Sequence, residues 1–199
     1  MAVRYPGKCF WAVILLWAVA IAAVWSCRTA TAYELHRWKY DHPAITVFDM
    51  SNVHGSECAR DFNDEAPARE ALGLWTAHGN VQYVDAFALL IKAEVWAGSI
   101  DVWIECGSDP DISPYADVDV VAVNGVVVQC TIRLSALFFA LDYHWQVNVL
   151  AHELGHCLGV YHSTEAGIMK MPRLFDFSAD DAAAIAALYP YPERLVVNH

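Results

Sequence analysis

One stretch of this chain, His152-Glu153-Leu154-Gly155-His156-Cys157-Leu158-Gly159-Val160-Tyr161-His162, collects residue types that can do metal chemistry. On an α-helix, residues four apart project from one face, a turn apart. His152 and His156 therefore predict a pair of imidazoles able to bind one Zn²⁺ at about 2.0–2.1 Å each. Glu153 follows the first imidazole, where it can hold and deprotonate a water on the metal. Gly159 predicts a positive-φ turn out of the helix, which a residue with a Cβ resists. That turn brings back His162 as a third ligand. Three protein ligands leave a fourth position for water and substrate, the pattern of a catalytic rather than a structural zinc. A buried helix can carry two histidines four apart by accident; the added glycine and third histidine at set distances make accident a poor explanation.

The elements that must position these residues can be read on both sides. Residues 143–158 predict the helix itself, with Val147, Leu150, Ala151 and Leu154 on its apolar face. Upstream, Ala44–Phe48 reads as a strand. Residues 66–78 place Ala68, Ala71, Leu72 and Trp75 at helical spacing before a Gly79-Asn80 stop, with Trp75 as a core anchor. Residues 81–84 and 100–104 read as strands, and the apolar residues 85–98 fit strand or helix equally. Asp109, Asp111, Asp117 and Asp119 fall among Pro and Ser in residues 107–119, which predicts an acidic loop; a solvated loop is the plainer reading, with Ca²⁺ binding the alternative. Asn124-Gly125 between Val-rich arms at 120–123 and 126–134 predicts a β-hairpin with a type I′ turn. Ser178-Ala179-Asp180-Asp181 resembles a capping box and opens a last helix through Ile185 to Leu188.

The extended motif His152-Glu153-x-x-His156-x-x-Gly159-x-x-His162 resembles the zinc signature of the metzincin clan of metallopeptidases, and the chain is most similar to matrixins. The likeness is loose over residues 33–190 and specific over 143–190. It implies an α+β fold: a twisted, mostly parallel sheet with an antiparallel edge strand, a zinc-site helix and a C-terminal helix. It also implies a zinc endopeptidase acting on protein or peptide, with His152, His156 and His162 as metal ligands and Glu153 as general base. The family places a methionine under the three imidazoles. Here the usual spacing falls on Lys170, so Met169 is the expected Met-turn residue, with Met171 second. In matrixins the edge strand pairs with extended substrate, and the second hairpin arm, ending Thr131-Ile132-Arg133-Leu134, is expected in that place. Many matrixins bind a second, structural zinc through histidines in the region before the motif. Residues 79–143 contain no histidine, so no second zinc is expected. Cys58 lies in Ser56-Glu57-Cys58-Ala59-Arg60, which does not match the family's inhibitory pro-segment, and no such switch is expected.

Composition bounds the setting. The 199 residues suffice for one domain with a sizeable core. Arg4 and Lys8 precede an unbroken apolar run from Cys9 to Trp25, and Ala30-Thr31-Ala32 is a small-x-small cleavage site. Residues 1–32 therefore read as a secretory signal peptide and 33–199 as the catalytic domain of a secreted monomer, with an uncleaved membrane anchor as the alternative. Cleavage would leave 9 basic against 23 acidic side chains, a net charge of −14. Such a chain repels nucleic acid and anionic membranes. Of the four cysteines beyond residue 32, Cys106 and Cys130 flank the acidic loop and are the preferred disulfide pair. Cys157 points away from the metal face. A peptidase fold that binds metal or peptide without turnover is the rival functional reading.

Overall fold

A computed structural model of the chain describes residues 33–42, 44–49, 66–85, 101–107, 114–170 and 176–191. Seven strands and three α-helices fall within them: β1 Tyr33–Leu35, β2 Ala44–Asp49, α1 Ala66–Thr76, β3 Gln82–Asp85, β4 Val102–Cys106, β5 Ala116–Val123, β6 Val126–Leu134, α2 Tyr143–Cys157, β7 Val160–Ser163 and α3 Ala179–Leu188. The expected signal peptide, residues 51–64, most of 85–98, Cys58, Asp109, Asp111 and Met171 lie outside the described residues. Among those described, no helix is long and apolar enough to cross a membrane.

The main sheet has the order β3-β2-β4-β6-β5. Its β2–β3, β2–β4 and β4–β6 pairs are parallel, and only β5–β6 is antiparallel. This is the α+β arrangement of a mixed sheet with helices that the sequence implied. The hairpin turn forms as Asn-Gly predicts: Asn124 has φ 53° and Gly125 φ 82°, the two positive values that a type I′ turn demands.

Two expectations fail at this hairpin. The edge strand is β5, its first arm, whereas β6 lies inside the sheet between β4 and β5. Side-chain alternation explains the order. Along β6, Cys130, Ile132 and Leu134 are all buried, as an inner strand under a helix requires. Along β5, Asp117 and Asp119 alternate with apolar residues, and charges suit an edge strand. These two aspartates were expected in an acidic loop. Instead they are strand residues that converge on Arg133, whose guanidinium lies 3.2 Å from Asp117 and 3.6 Å from Asp119, and 3.3 Å from Glu105 on β4. One cation thus ties three strands together.

The expected Cys106–Cys130 pairing is also wrong. Cys130 is joined to Cys157, with their Cα atoms 5.6 Å apart. Cys106 stands opposite Leu134 in the β4–β6 register, and Cys130 opposite Val102. Four residues along a strand separate the two positions, about 13 Å, beyond the reach of a disulfide. Cys157 faces the sheet because it leaves α2 on the side away from His156, and the bond therefore pins the end of α2 to the sheet.

Helix α1 packs on α2 through Trp75, fully buried as the core anchor its spacing predicts, whose Nε1 donates to the Ala151 carbonyl at 2.9 Å. Asp142 caps α2 by accepting from the Trp145 amide at 3.0 Å. The short strand β1 pairs antiparallel with β7, Tyr33 opposite Ser163 and Leu35 opposite Val160. Its continuation donates from the His36 amide to the Gly159 carbonyl at 2.8 Å.

Candidate metal centre

Helix α2, the turn after it and strand β7 bring the imidazoles of His152, His156 and His162 together, with one ring nitrogen from each within 4.8 Å of the others. The turn is made by Gly159, at φ +95°, and a Cβ there would collide with the Trp38 carbonyl. Only glycine satisfies both the backbone angle and that close approach. His162 therefore owes its place to the lead-in segment as much as to the motif.

Ring orientation is set by backbone carbonyls. The Nδ1 of His152 lies 2.7 Å from the Ile168 carbonyl and that of His156 3.0 Å from the Val160 carbonyl. A carbonyl accepts only, so both Nδ1 atoms carry the proton and both Nε2 lone pairs are left for a metal. The Nε2 atoms of His156 and His162 stand 3.2 Å apart. Two nitrogens bound at about 2.05 Å to a tetrahedral ion are separated by about 3.3 Å, so the site fits Zn²⁺. Burial lowers His152 to about 4 and, together with the neighbouring His152 and His162 rings, lowers His156 to about 3. His162 is lowered as well, by burial. At neutral pH all three are neutral, the form in which imidazole binds metal.

Glu153 is 8% exposed. Burial, with a smaller push from the Asp117 carboxylate, raises it to about 8. In the metal-free chain that carboxyl keeps its proton at neutral pH, and a cation beside it would favour the ionised form that can accept one.

The residues beneath the helix were only partly foreseen. Met169, the expected Met-turn residue, is fully buried with its Sδ against Gly155. The Trp75 ring fills the other side: its Cζ2 stands 2.7 Å from where a Cβ on residue 155 would be. Any larger residue at position 155 would be driven into that floor. Asp181 does more than cap a helix. Its side chain completes the capping box with Ser178, as its sequence context predicts. It also accepts from the Ile168 amide at 2.9 Å and the Met169 amide at 3.2 Å while only 1% exposed. The same turn supplies the Ile168 carbonyl that orients His152. Nothing in the sequence marked that link except the acid in place of the usual Glu or Gln.

His36 was not anticipated either. Its ring stacks on Trp38 at 4.0 Å and meets Tyr161 and His156 edge-on, with centroids 4.8 and 6.0 Å apart.

Three neutral imidazoles closing on one point, with a buried glutamate next in sequence to the first of them, form the kind of centre found in zinc-dependent hydrolases. The family comparison narrows this: the model for matrixins, Peptidase M10, matches residues 37–190, and the chain belongs to the matrixin family of zinc metallopeptidases. No curated protein gives a match. Among solved structures, the chain is similar to one titled "GM1 bound form of the ECX AB5 holotoxin", 14% identical over 79% of each chain with a TM-score of 0.45, a likeness too slight to carry an argument.

Proposed function

We propose that this chain is a secreted zinc endopeptidase that cleaves protein or peptide substrates. His152, His156 and His162 hold the metal, and Met169 forms the floor of the site. When bound, zinc supplies the Lewis acid that lowers the pKa of water and polarises the scissile carbonyl. Glu153 accepts the proton of the attacking water and passes it to the departing amine. No side-chain nucleophile is required. The substrate lies extended along the edge of β5, the last strand of the sheet among the described residues, where main-chain hydrogen bonds supply affinity.

The observation that carries this reading is the convergence of the three imidazoles, with the Nδ1 atoms of His152 and His156 already committed to carbonyls. Export rests on the charged, apolar and small-residue sequence of positions 1–32. Glu153→Gln should keep about one zinc per chain and lose most hydrolysis of an unfolded protein. Substantial hydrolysis by that variant would contradict the role of Glu153. Sequencing the N-terminus of the exported protein should find Tyr33.

A further inference from the structure

Residues 158–160 carry the chain from α2 into β7, and their three carbonyls take donors from three different places. The Leu158 carbonyl accepts from the Tyr189 hydroxyl at 3.1 Å. The Gly159 carbonyl accepts from the His36 amide at 2.8 Å. The Val160 carbonyl faces Nδ1 of His156 at 3.0 Å. The third donor belongs to the metal centre. The first two do not: Tyr189 caps the end of α3, and His36 follows β1 in the lead-in segment before β2.

Tyr189 also accepts. Its oxygen takes the Tyr40 amide at 2.9 Å, and both tyrosines are buried, at 6% and 1% exposure. One hydroxyl thus uses its donor and an acceptor lone pair to join α3, the turn and the lead-in. A phenylalanine would fill the same space but take the partner from a buried N–H and a buried C=O. The same lead-in packs its Trp38 carbonyl against Gly159 and sets Leu35 opposite Val160. The consequence falls on the metal centre, because the peptides held by Tyr189 and His36 lie between His156 and His162. Rotating them would move the Val160 carbonyl, and with it the His156 ring, and would carry His162 along. The 3.2 Å between the Nε2 atoms of those two histidines therefore depends on groups remote from the motif.

We infer that Tyr189 is a positioning residue of the metal centre, its hydroxyl holding the turn that sets His162 against the His156 ring, with the His36 amide as its counterpart on the next peptide. This rests on the reading of His152, His156 and His162 as metal ligands and deepens it by naming what holds two of them. The test is Tyr189→Phe in the full chain, which keeps the ring and removes the oxygen. Zinc affinity, from competition with a chelator at neutral pH, should fall about tenfold, the low end of what partners behind a metal ligand contribute. With cobalt in place of zinc, the variant should absorb visible light more weakly, because a displaced imidazole spoils the tetrahedral geometry that gives strong bands. Ile45→Ala, a core truncation on β2 away from the turn, controls for lost stability. It should lower the urea midpoint and leave zinc affinity and the cobalt spectrum unchanged. Wild-type affinity and spectrum in Tyr189→Phe would overturn the inference, as would an equal loss in Ile45→Ala. Should Tyr189→Phe not fold, the same turn is tested by His36→Pro, which deletes the amide donor, against His36→Ala, which keeps it. The proline variant should bind zinc about tenfold more weakly than the alanine variant, and equal affinities would overturn the inference. Affinity and spectrum need no turnover, so the two claims fail separately. A wild-type chain that binds zinc, hydrolyses nothing and loses affinity in Tyr189→Phe would support the positioning role while contradicting the peptidase reading. Hydrolysis by the wild type, with zinc affinity unmoved in Tyr189→Phe, would do the reverse.

Discussion

Removing zinc should expose a pH dependence of stability that Glu153→Gln abolishes on its alkaline side. Burial first, and the Asp117 carboxylate second, raise Glu153 to about 8 from its ordinary 4.5. The folded chain then keeps a proton that the unfolded chain has released. Stability is lost as pH rises between those two values, by about 1.4 kcal/mol per pH unit. The buried histidines act in the opposite sense. His152 and His156 are lowered to about 4 and about 3 from 6.5, so below 6.5 the unfolded chain binds protons that the folded chain refuses. Their contribution therefore grows with pH and is complete above 6.5; His36 and His162, also lowered, add in the same direction. Between pH 4.5 and 6.5 the histidines outweigh one carboxyl. Above 6.5 only the carboxyl titrates. Metal-free protein should thus be most stable near pH 6.5 and lose on the order of 2 kcal/mol by pH 8, about 4–8 °C in Tm for a domain of this size. Glutamine has no proton to release, so the variant should be level from pH 6.5 to 8. Zinc should also flatten the wild-type profile, because a nearby cation favours the ionised carboxylate. Thermal unfolding with a chelator at pH 5.5, 6.5 and 8 measures this. An alkaline loss of the same size in Glu153→Gln would refute the buried, proton-holding carboxyl.

Three further outcomes follow from the packing around the site. Replacing Cys130 and Cys157 by alanine opens a link across a sequence separation of 27 residues. The loop-entropy relation gives a loss of about 3.5 kcal/mol, readable as a lower urea midpoint. Gly155→Ala drives a methyl group into Met169 and Trp75, so it should cost about 1–3 kcal/mol in urea unfolding and weaken zinc binding in a competition titration. Asp181→Asn removes one of two acceptor oxygens facing the Ile168 and Met169 amides. Because the Ile168 carbonyl orients His152, zinc affinity should fall about 10–100-fold; unchanged affinity would show that the turn holds its shape without Asp181.

The sequence was most informative where function restricts both residue type and spacing. Two histidines a helical turn apart, a glycine that must take positive φ and a returning third histidine predict a local geometry without knowledge of the rest of the chain. Asn-Gly did the same for the hairpin turn, and Trp75 for the core. Long-range choices were not legible. Whether β5 or β6 lies at the edge depends on which arm finds β4, and both arms are rich in valine. The partner of Cys130 depends on the angle at which α2 crosses the sheet, which no local pattern encodes. Asp117 and Asp119 read as loop because Pro110 and Pro114 precede them, while their pairing with Arg133 exists only once the strands are in register. His36 and Asp181 gain their places near the site through β1–β7 pairing and the docking of α3, contacts that span more of the chain than any motif.

The most direct measurement is hydrolysis of casein by purified residues 33–199, with zinc determined on the same sample. The account predicts about one zinc per chain, activity abolished by a chelator and activity restored by adding zinc back. Folded protein that binds no zinc would contradict the metal centre, and one zinc per chain with no hydrolysis of casein or of any peptide offered would contradict the peptidase.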